Sequence, residues 1–162
     1  MKKLIVAGLL SVLSMPLWAV EVGQSAPDFK LSLLDGSKSV KLSDYRGQVV
    51  YLDFWASWCG PCRQSLPAMN SLQTELFRKG FTVLAVNVDE DANAAKAFLK
   101  QFPVNYPVVA DAQGATPDKF GLQGMPTSYL IDKNGKIALV HQGYKEGDLN
   151  EIRQTATQLL KK

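Results

Sequence analysis

The 162-residue sequence predicts an α/β domain: a central mixed β-sheet with helices on both faces. Two observations carry that expectation. Nearly continuous apolar, β-favouring runs at residues 49–55 and 81–88 are each followed by apolar residues at helical spacing, an order that implies parallel strands joined by right-handed crossovers. Later, residues 127–131 and 137–141 are joined through residues 132–136, where Asn134-Gly135 is a strong hairpin signal, and so add antiparallel strands. With 46% hydrophobic and 20% charged residues, and no repeat or linker after residue 23, one folding unit is expected.

The elements follow in order. Lys2 and Lys3 precede an apolar run over residues 4–13, the pattern of a secretory signal, and Pro16 ends any helix there. Ala19 is the expected last residue, which makes 1–19 a cleaved signal and 20–162 the folded domain. The alternative is an uncleaved anchor, for which residues 4–20 lie at the short limit of a bilayer span. Losing Lys2 and Lys3 removes most of the formal net charge of +3, too little for nucleic acid or an anionic surface to be an expected partner. Residues 29–34 and 40–42 flank the turn signal Asp35-Gly36 and form a hairpin lead-in. In the strand at 49–55 the polar exception is Asp53. Leu66, Met69, Leu72 and Leu76 define a helix that begins at the cysteines and closes at Gly80. A second helix over 91–102 presents Ala95, Phe98 and Phe102 on one face. A short strand near Val108 and a helical turn at 118–120 lead to the hairpin. Asp148 and Glu151 resemble a capping box opening a last helix that buries Leu149, Ile152, Ala156 and Leu159 or Leu160.

The chemistry centres on Cys59-Gly60-Pro61-Cys62. A disulfide across two residues closes too small a loop to restrain the unfolded chain, so stability is a poor reason for it. A structural zinc site takes about four ligands, and the chain's Cys and His residues are Cys59, Cys62 and His141. Haem attachment of the c type would put His after the second cysteine, where Arg63 stands. Redox chemistry remains, in the oxidising compartment to which a signal would direct the chain. Cys59, expected in the first turn of a helix, has a thiolate favoured by free N–H groups and the dipole, and is the candidate nucleophile. Cys62, one turn on and sheltered, is the candidate resolving thiol. Gly60 is expected to let the turn tighten, and Pro61 suits an early helical position. Trp55 reads as core, Trp58 as docking surface, and His141 is given no catalytic task.

Residues 53–62, Asp-Phe-Trp-Ala-Ser-Trp-Cys-Gly-Pro-Cys, resemble the active-site segment of thioredoxins, with Pro67 matching the helix-kinking proline of that family. Residues 120–127, Phe-Gly-Leu-Gln-Gly-Met-Pro-Thr, resemble the segment where thioredoxin-like proteins carry a cis-proline. The resemblance implies that Pro126 is cis and that the Met125 backbone pairs with an extended substrate; a trans proline opening a strand is the alternative. It also matches Asp53 to the buried acid of thioredoxins. Burial would raise the pKa of that carboxyl and suit it to relay the Cys62 proton, whereas a strand-end Asp reaching water or a backbone partner is the plain alternative.

Residues 22–29 and 42–47 resemble the exported TlpA, ResA and DsbE-like thioredoxins of the AhpC/TSA-redoxin superfamily, a similarity covering about residues 22–160. Peroxiredoxins, which share that lead-in, carry Pro-x-x-x-Thr/Ser-x-x-Cys; here Leu52 and Ala56 precede Cys59, and Trp55 and Cys59 precede Cys62, so the peroxide motif is absent. Asp53 and Gly60-Pro61 look more like general thioredoxin than like cytochrome-maturation reductases, although cytochrome c biogenesis stays among the implied settings. The resemblance therefore implies a thioredoxin fold with an N-terminal β extension, acting in the periplasm or outside the cell. It implies reduction of protein disulfides with electrons from a membrane partner of the DsbD kind, and neither metal nor organic cofactor. Disulfide donation, thiol peroxidase activity and a non-catalytic binding domain remain the alternatives.

Overall fold

The computed structural model describes residues 19–162, so the signal expected at 1–19 lies, Ala19 apart, outside the described residues. The lead-in hairpin is β1 (Lys30–Leu33) and β2 (Ser39–Lys41). Then follow β3 (Val49–Trp55), α1 (Cys62–Leu76), β4 (Phe81–Asn87), α2 (Ala92–Gln101), β5 (Val108–Ala110) and α3 (Ala115–Phe120). β6 (Thr127–Ile131), β7 (Ile137–Gln142) and α4 (Asp148–Leu160) complete the chain. All seven strands join one sheet in the order β2-β1-β5-β4-β3-β6-β7. β3, β4 and β5 run parallel, and β1, β6 and β7 supply the antiparallel pairings. This is the expected thioredoxin fold with its β extension.

Strand alternation divides the core into two layers. Val49, Tyr51 and Trp55 of β3 face α1, α2 and α4, packing with Leu66, Met69, Phe98 and Ile152. Val50, Leu52 and Phe54 face the other side, with Phe120 of α3 and with Val20, Ala26 and Phe29. Those last three belong to the N-terminal extension, which first follows the β7 edge through Gly23 N–H to Ile137 O (2.8 Å) and Ala26 N–H to Gly135 O (3.0 Å), then pairs β1 with β5. Because every side chain of β3 and β4 is buried, the sequence reads there as nearly continuous apolar runs, interrupted by Asp53 in β3 and by Thr82 and Asn87 in β4.

Several local expectations change. α1 begins at Cys62 with Pro61 as its N-cap, so Cys59 lies in the turn before the helix instead of in its first turn. A proline lacks the N–H that a helix interior would use, and this one sits where none is needed. Gly60 has neither a left-handed φ nor any atom within 4 Å of an added Cβ, so the turn does not require glycine there. Gly80 does close the first helical segment at φ 92°, after a 3-10 turn over Phe77–Lys79. The expected turn at 118–120 is a full helix, α3, whose Thr116 N–H donates to the buried Asp111 carboxylate at 2.7 Å. The Asp148 capping box does not form: Gly147 holds the cap position at φ 99°, and the Asp148 carboxylate turns inward to His141 and the Lys145 N–H. Ile152 and Ala156 are buried as expected, while Leu149, Leu159 and Leu160 are half-buried at the edge. Among the described residues, no helix is long and apolar enough to cross a membrane.

Candidate active site

β3 ends in the middle of the sheet and hands the chain to a short loop, Ala56 to Ser57, before the cysteines. That loop is tied to the end of β4. Ser57 donates its N–H and O–H to Asp89 at 2.9 and 2.8 Å, and the Asn87 amide donates to the same carboxylate at 2.7 Å. The Val88 N–H closes the connection on Trp55 O at 3.0 Å. Three donors on one buried carboxylate make these charge-assisted bonds, the stronger kind, and they hold the loop against the sheet. Asp89, Asn87 and Ser57 were not singled out in the sequence. Asp89 lies in the run Asp89-Glu90-Asp91, with no local signal that sets it apart, and only the parallel pairing of β3 with β4 brings it to Ser57.

Cys59 and Cys62 form a disulfide with their Cα atoms 5.4 Å apart. Cys59 retains 4% of its surface and Cys62 none, so even the outer cysteine of the oxidised pair is nearly covered. The strongly exposed group is the neighbouring Trp58, at 68%. Trp55, by contrast, is wholly buried and packs on Phe98 with ring centroids 5.2 Å apart. The Met125–Pro126 peptide bond is cis, as the resemblance implied. Met125 packs against the apolar cluster that contains both cysteines, and Gly124 to Thr127 line a shallow cavity of about 200 Å³ together with Gln142 and Gly143. Gly143 N–H donates to Pro126 O at 2.8 Å, and Thr127 Oγ1 donates to Gly124 O at 2.7 Å, which fixes the loop at the mouth of β6.

Asp53 alternates with Tyr51 and Trp55 on the sheet face that α1 covers, and only 1% of it is exposed. Neither carboxylate oxygen has a hydrogen-bond partner among the described residues. Burial pushes its pKa up to about 7 from 3.8, because the charged form loses hydration without a compensating donor. Ser128, opposite Asp53 on β6, tempers the rise but falls short of hydrogen-bonding geometry. The Tyr51 hydroxyl donates to Ser128 Oγ at 2.7 Å, and burial, reinforced by the Asp53 charge, raises the Tyr51 pKa well above the ordinary phenol value. Asp53 is thus covered in this structure, with neither a backbone nor a side-chain partner for its carboxylate among the described residues. Residues 53, 59, 62, 125 and 126 thus gather around one end of the sheet, with Trp58 displayed beside them.

Comparisons with known proteins agree with this geometry. The family described as Redoxin matches residues 21–159. Thiol-disulfide oxidoreductase ResA of Geobacillus thermodenitrificans is 42% identical over 125 residues, covering 77% of this chain and 71% of that protein. Thioredoxin-like protein YneN of Bacillus subtilis is 39% identical over 127 residues, covering 76% and 73%. A crystal structure of a candidate thiol:disulfide interchange protein DsbE from Chlorobium tepidum superposes with a TM-score of 0.84 at 49% identity, covering 88% of this chain and 99% of that one. A paired-cysteine turn on a thioredoxin-like sheet and a match along nearly the whole described chain lead to one conclusion: the chain belongs to the Redoxin family.

Proposed function

We infer that this thiol-disulfide oxidoreductase reduces disulfides of protein substrates, with Cys59 as attacking thiolate and Cys62 as resolving thiol. The observation that supports it best is the difference between the two cysteines: Cys59 keeps a trace of exposed surface beside the exposed Trp58, whereas Cys62 is wholly covered in the apolar cluster on the sheet face of Asp53, whose carboxylate has no partner among the described residues. The Cys59 thiolate attacks a substrate disulfide, forming a mixed disulfide and expelling one substrate thiolate. Cys62 then gives its proton to the Asp53 carboxylate, attacks the Cys59 sulfur and releases the second substrate thiolate. Two electrons pass to the substrate, and the protein ends as the Cys59–Cys62 disulfide. An acid with a pKa near the working pH accepts and returns a proton at little cost, which suits Asp53 to this step. Trp58 and the Met125 backbone supply the docking edge, and Gly60 and Pro61 shape the turn that presents Cys59.

The direction rests on the Gly60-Pro61 dipeptide. Thioredoxin, with the same pair, lies near about −270 mV, whereas the oxidant DsbA lies near about −120 mV because its thiolate form is more stabilised. No cationic residue stands between Cys59 and Cys62 to give such stabilisation. A reductant working in the periplasm or outside the cell needs recharging, for which a membrane donor of the DsbD kind is the expected partner. Cytochrome c biogenesis is one setting that uses such a reductant.

Equilibration with glutathione should give a potential below about −200 mV. A value near the DsbA reference reverses the function to disulfide donation and leaves the catalytic residues as assigned. Cys62→Ser should accumulate substrates as mixed disulfides that mass spectrometry identifies, and Cys59→Ser should abolish insulin reduction. Accumulation on a Cys59→Ser protein instead would exchange the two roles.

A further inference from the structure

Strand register sets Asp53 opposite Ser128 and Ser128 opposite His141. Residues directly opposite on neighbouring strands share a face, with Cβ atoms about 4.5–5.5 Å apart. Three polar side chains therefore form a row across β3, β6 and β7 in an otherwise apolar layer. Ser128 Oγ already accepts the Tyr51 hydroxyl at 2.7 Å, which leaves its own proton to donate. Two acceptors flank it. On one side are the partnerless oxygens of Asp53, and on the other is His141 Nδ1, buried and likewise without a partner.

The far nitrogen of His141 is engaged. Nε2 lies 3.2 Å from Asp148 Oδ2, which also accepts the Lys145 N–H at 2.8 Å. Hydrogen on Nε2 satisfies that carboxylate and leaves the Nδ1 lone pair free, on the sheet face that His141 shares with Ser128. Beyond the pair lies an open cavity of about 430 Å³ lined by His141, Tyr144, Lys145, Asp148 and Glu151 among others, so one end of the row reaches solvent. Tyr106 faces Asp53 and Tyr51 from the segment before β5, but its hydroxyl is committed to Leu66 O at 2.8 Å. Tyr144 stands on the Asp148 side.

We propose that Ser128 and His141, with Asp148 orienting the imidazole, form the route by which the buried Asp53 exchanges its proton with solvent. The inference rests on the reading that Asp53 takes the Cys62 proton. Asp53 gives that proton to Ser128 Oγ while the Ser128 proton passes to His141 Nδ1. The resulting imidazolium, held by Asp148, gives a proton to water in the cavity. One proton leaves in each oxidation of the dithiol, and one returns along the row when the dithiol is regenerated. Ser128 and His141 touch neither sulfur and are positioning residues.

Single-turnover reduction of a disulfide substrate, with attack and resolution resolved in time, tests the route in Asp53→Asn, Ser128→Ala, Ser128→Thr and His141→Gln. Positioned proton transfer contributes roughly 10²- to 10⁴-fold; near neutral pH part of Asp53 starts protonated and must empty along the route before it can take the Cys62 proton, so losing the route should slow resolution in that fraction by at least about tenfold while attack is unchanged. Resolution in Ser128→Ala and His141→Gln should also become dependent on buffer concentration, a sensitivity that a packing defect would not create, and Ser128→Thr should restore the wild-type rate. If Asp53→Asn slows resolution while Ser128→Ala and His141→Gln match the wild type without buffer dependence, the route is wrong and the Asp53 role stands. Wild-type resolution in Asp53→Asn would overturn both. Nitrogen NMR of the unaltered protein decides independently of whether the variants fold. Neutral His141 of the reduced protein should carry hydrogen on Nε2, and hydrogen on Nδ1 in that state would overturn the proposal, since that nitrogen could not then accept.

Discussion

Asp53 should make the oxidised protein lose stability as pH rises, and Asp53→Asn should remove that loss. Its pKa is about 7 in the folded chain against 3.8 as the reference for an exposed chain, so between those values the folded state holds a proton that the unfolded state has released. Stability therefore falls with rising pH through this window, is fully present below the unfolded value, and levels off above about 7. The shift is about 3 pH units, and at about 1.36 kcal/mol per unit the loss is about 4 kcal/mol, a large part of a small domain's stability. Asn keeps the shape and does not titrate. Any cost of burying its amide is independent of pH and shifts the whole curve without tilting it. Urea unfolding of both oxidised proteins at fixed pH values from 4 to 8.5 measures the difference, in which the other titrating groups cancel. The variant should gain on the wild type by about 4 kcal/mol across that range. Parallel curves would refute the reasoning and mean that the carboxyl reaches water or a donor in solution.

Trp58→Ala should change stability by less than about 0.5 kcal/mol, because the side chain is exposed, yet raise KM for protein disulfides several-fold; insulin reduction set against a small disulfide reads this. Asp89→Ala removes the two Ser57 hydrogen bonds that hold the loop before Cys59 and the Asn87 bond beside them, and should cost about 2–4 kcal/mol in chemical unfolding, with slower disulfide exchange from a loosened turn. Two glycines should respond oppositely. Gly60→Ala should leave stability within about 0.5 kcal/mol, since the site is open and its φ ordinary. Gly135→Ala, at φ 77° and with its Cβ directed into the Arg46 guanidinium, should cost about 1–2 kcal/mol in the same unfolding assay.

The layered α/β architecture, the strand and helix order, the Asn134-Gly135 hairpin and the paired cysteines were all legible from residue order, because each is written in neighbouring residues. Fully buried strands appear as nearly continuous apolar runs, helices as three- and four-residue spacing, and a two-residue cysteine loop is too short to be anything but local. The cis bond at Pro126 was legible only through the family resemblance. What the tertiary structure alone decided depends on pairing between distant strands. Asp89 becomes the anchor of the Ser57 loop because β4 lies beside β3, and His141, unremarkable in its strand, joins Ser128 and Asp53 because β7, β6 and β3 are adjacent in that register. Asp148 likewise looks like a helix cap until the sheet places His141 within its reach and draws its carboxylate inward. Local propensity and spacing reach a few residues along the chain, whereas the partners of a buried polar group are set by strand register across the sheet.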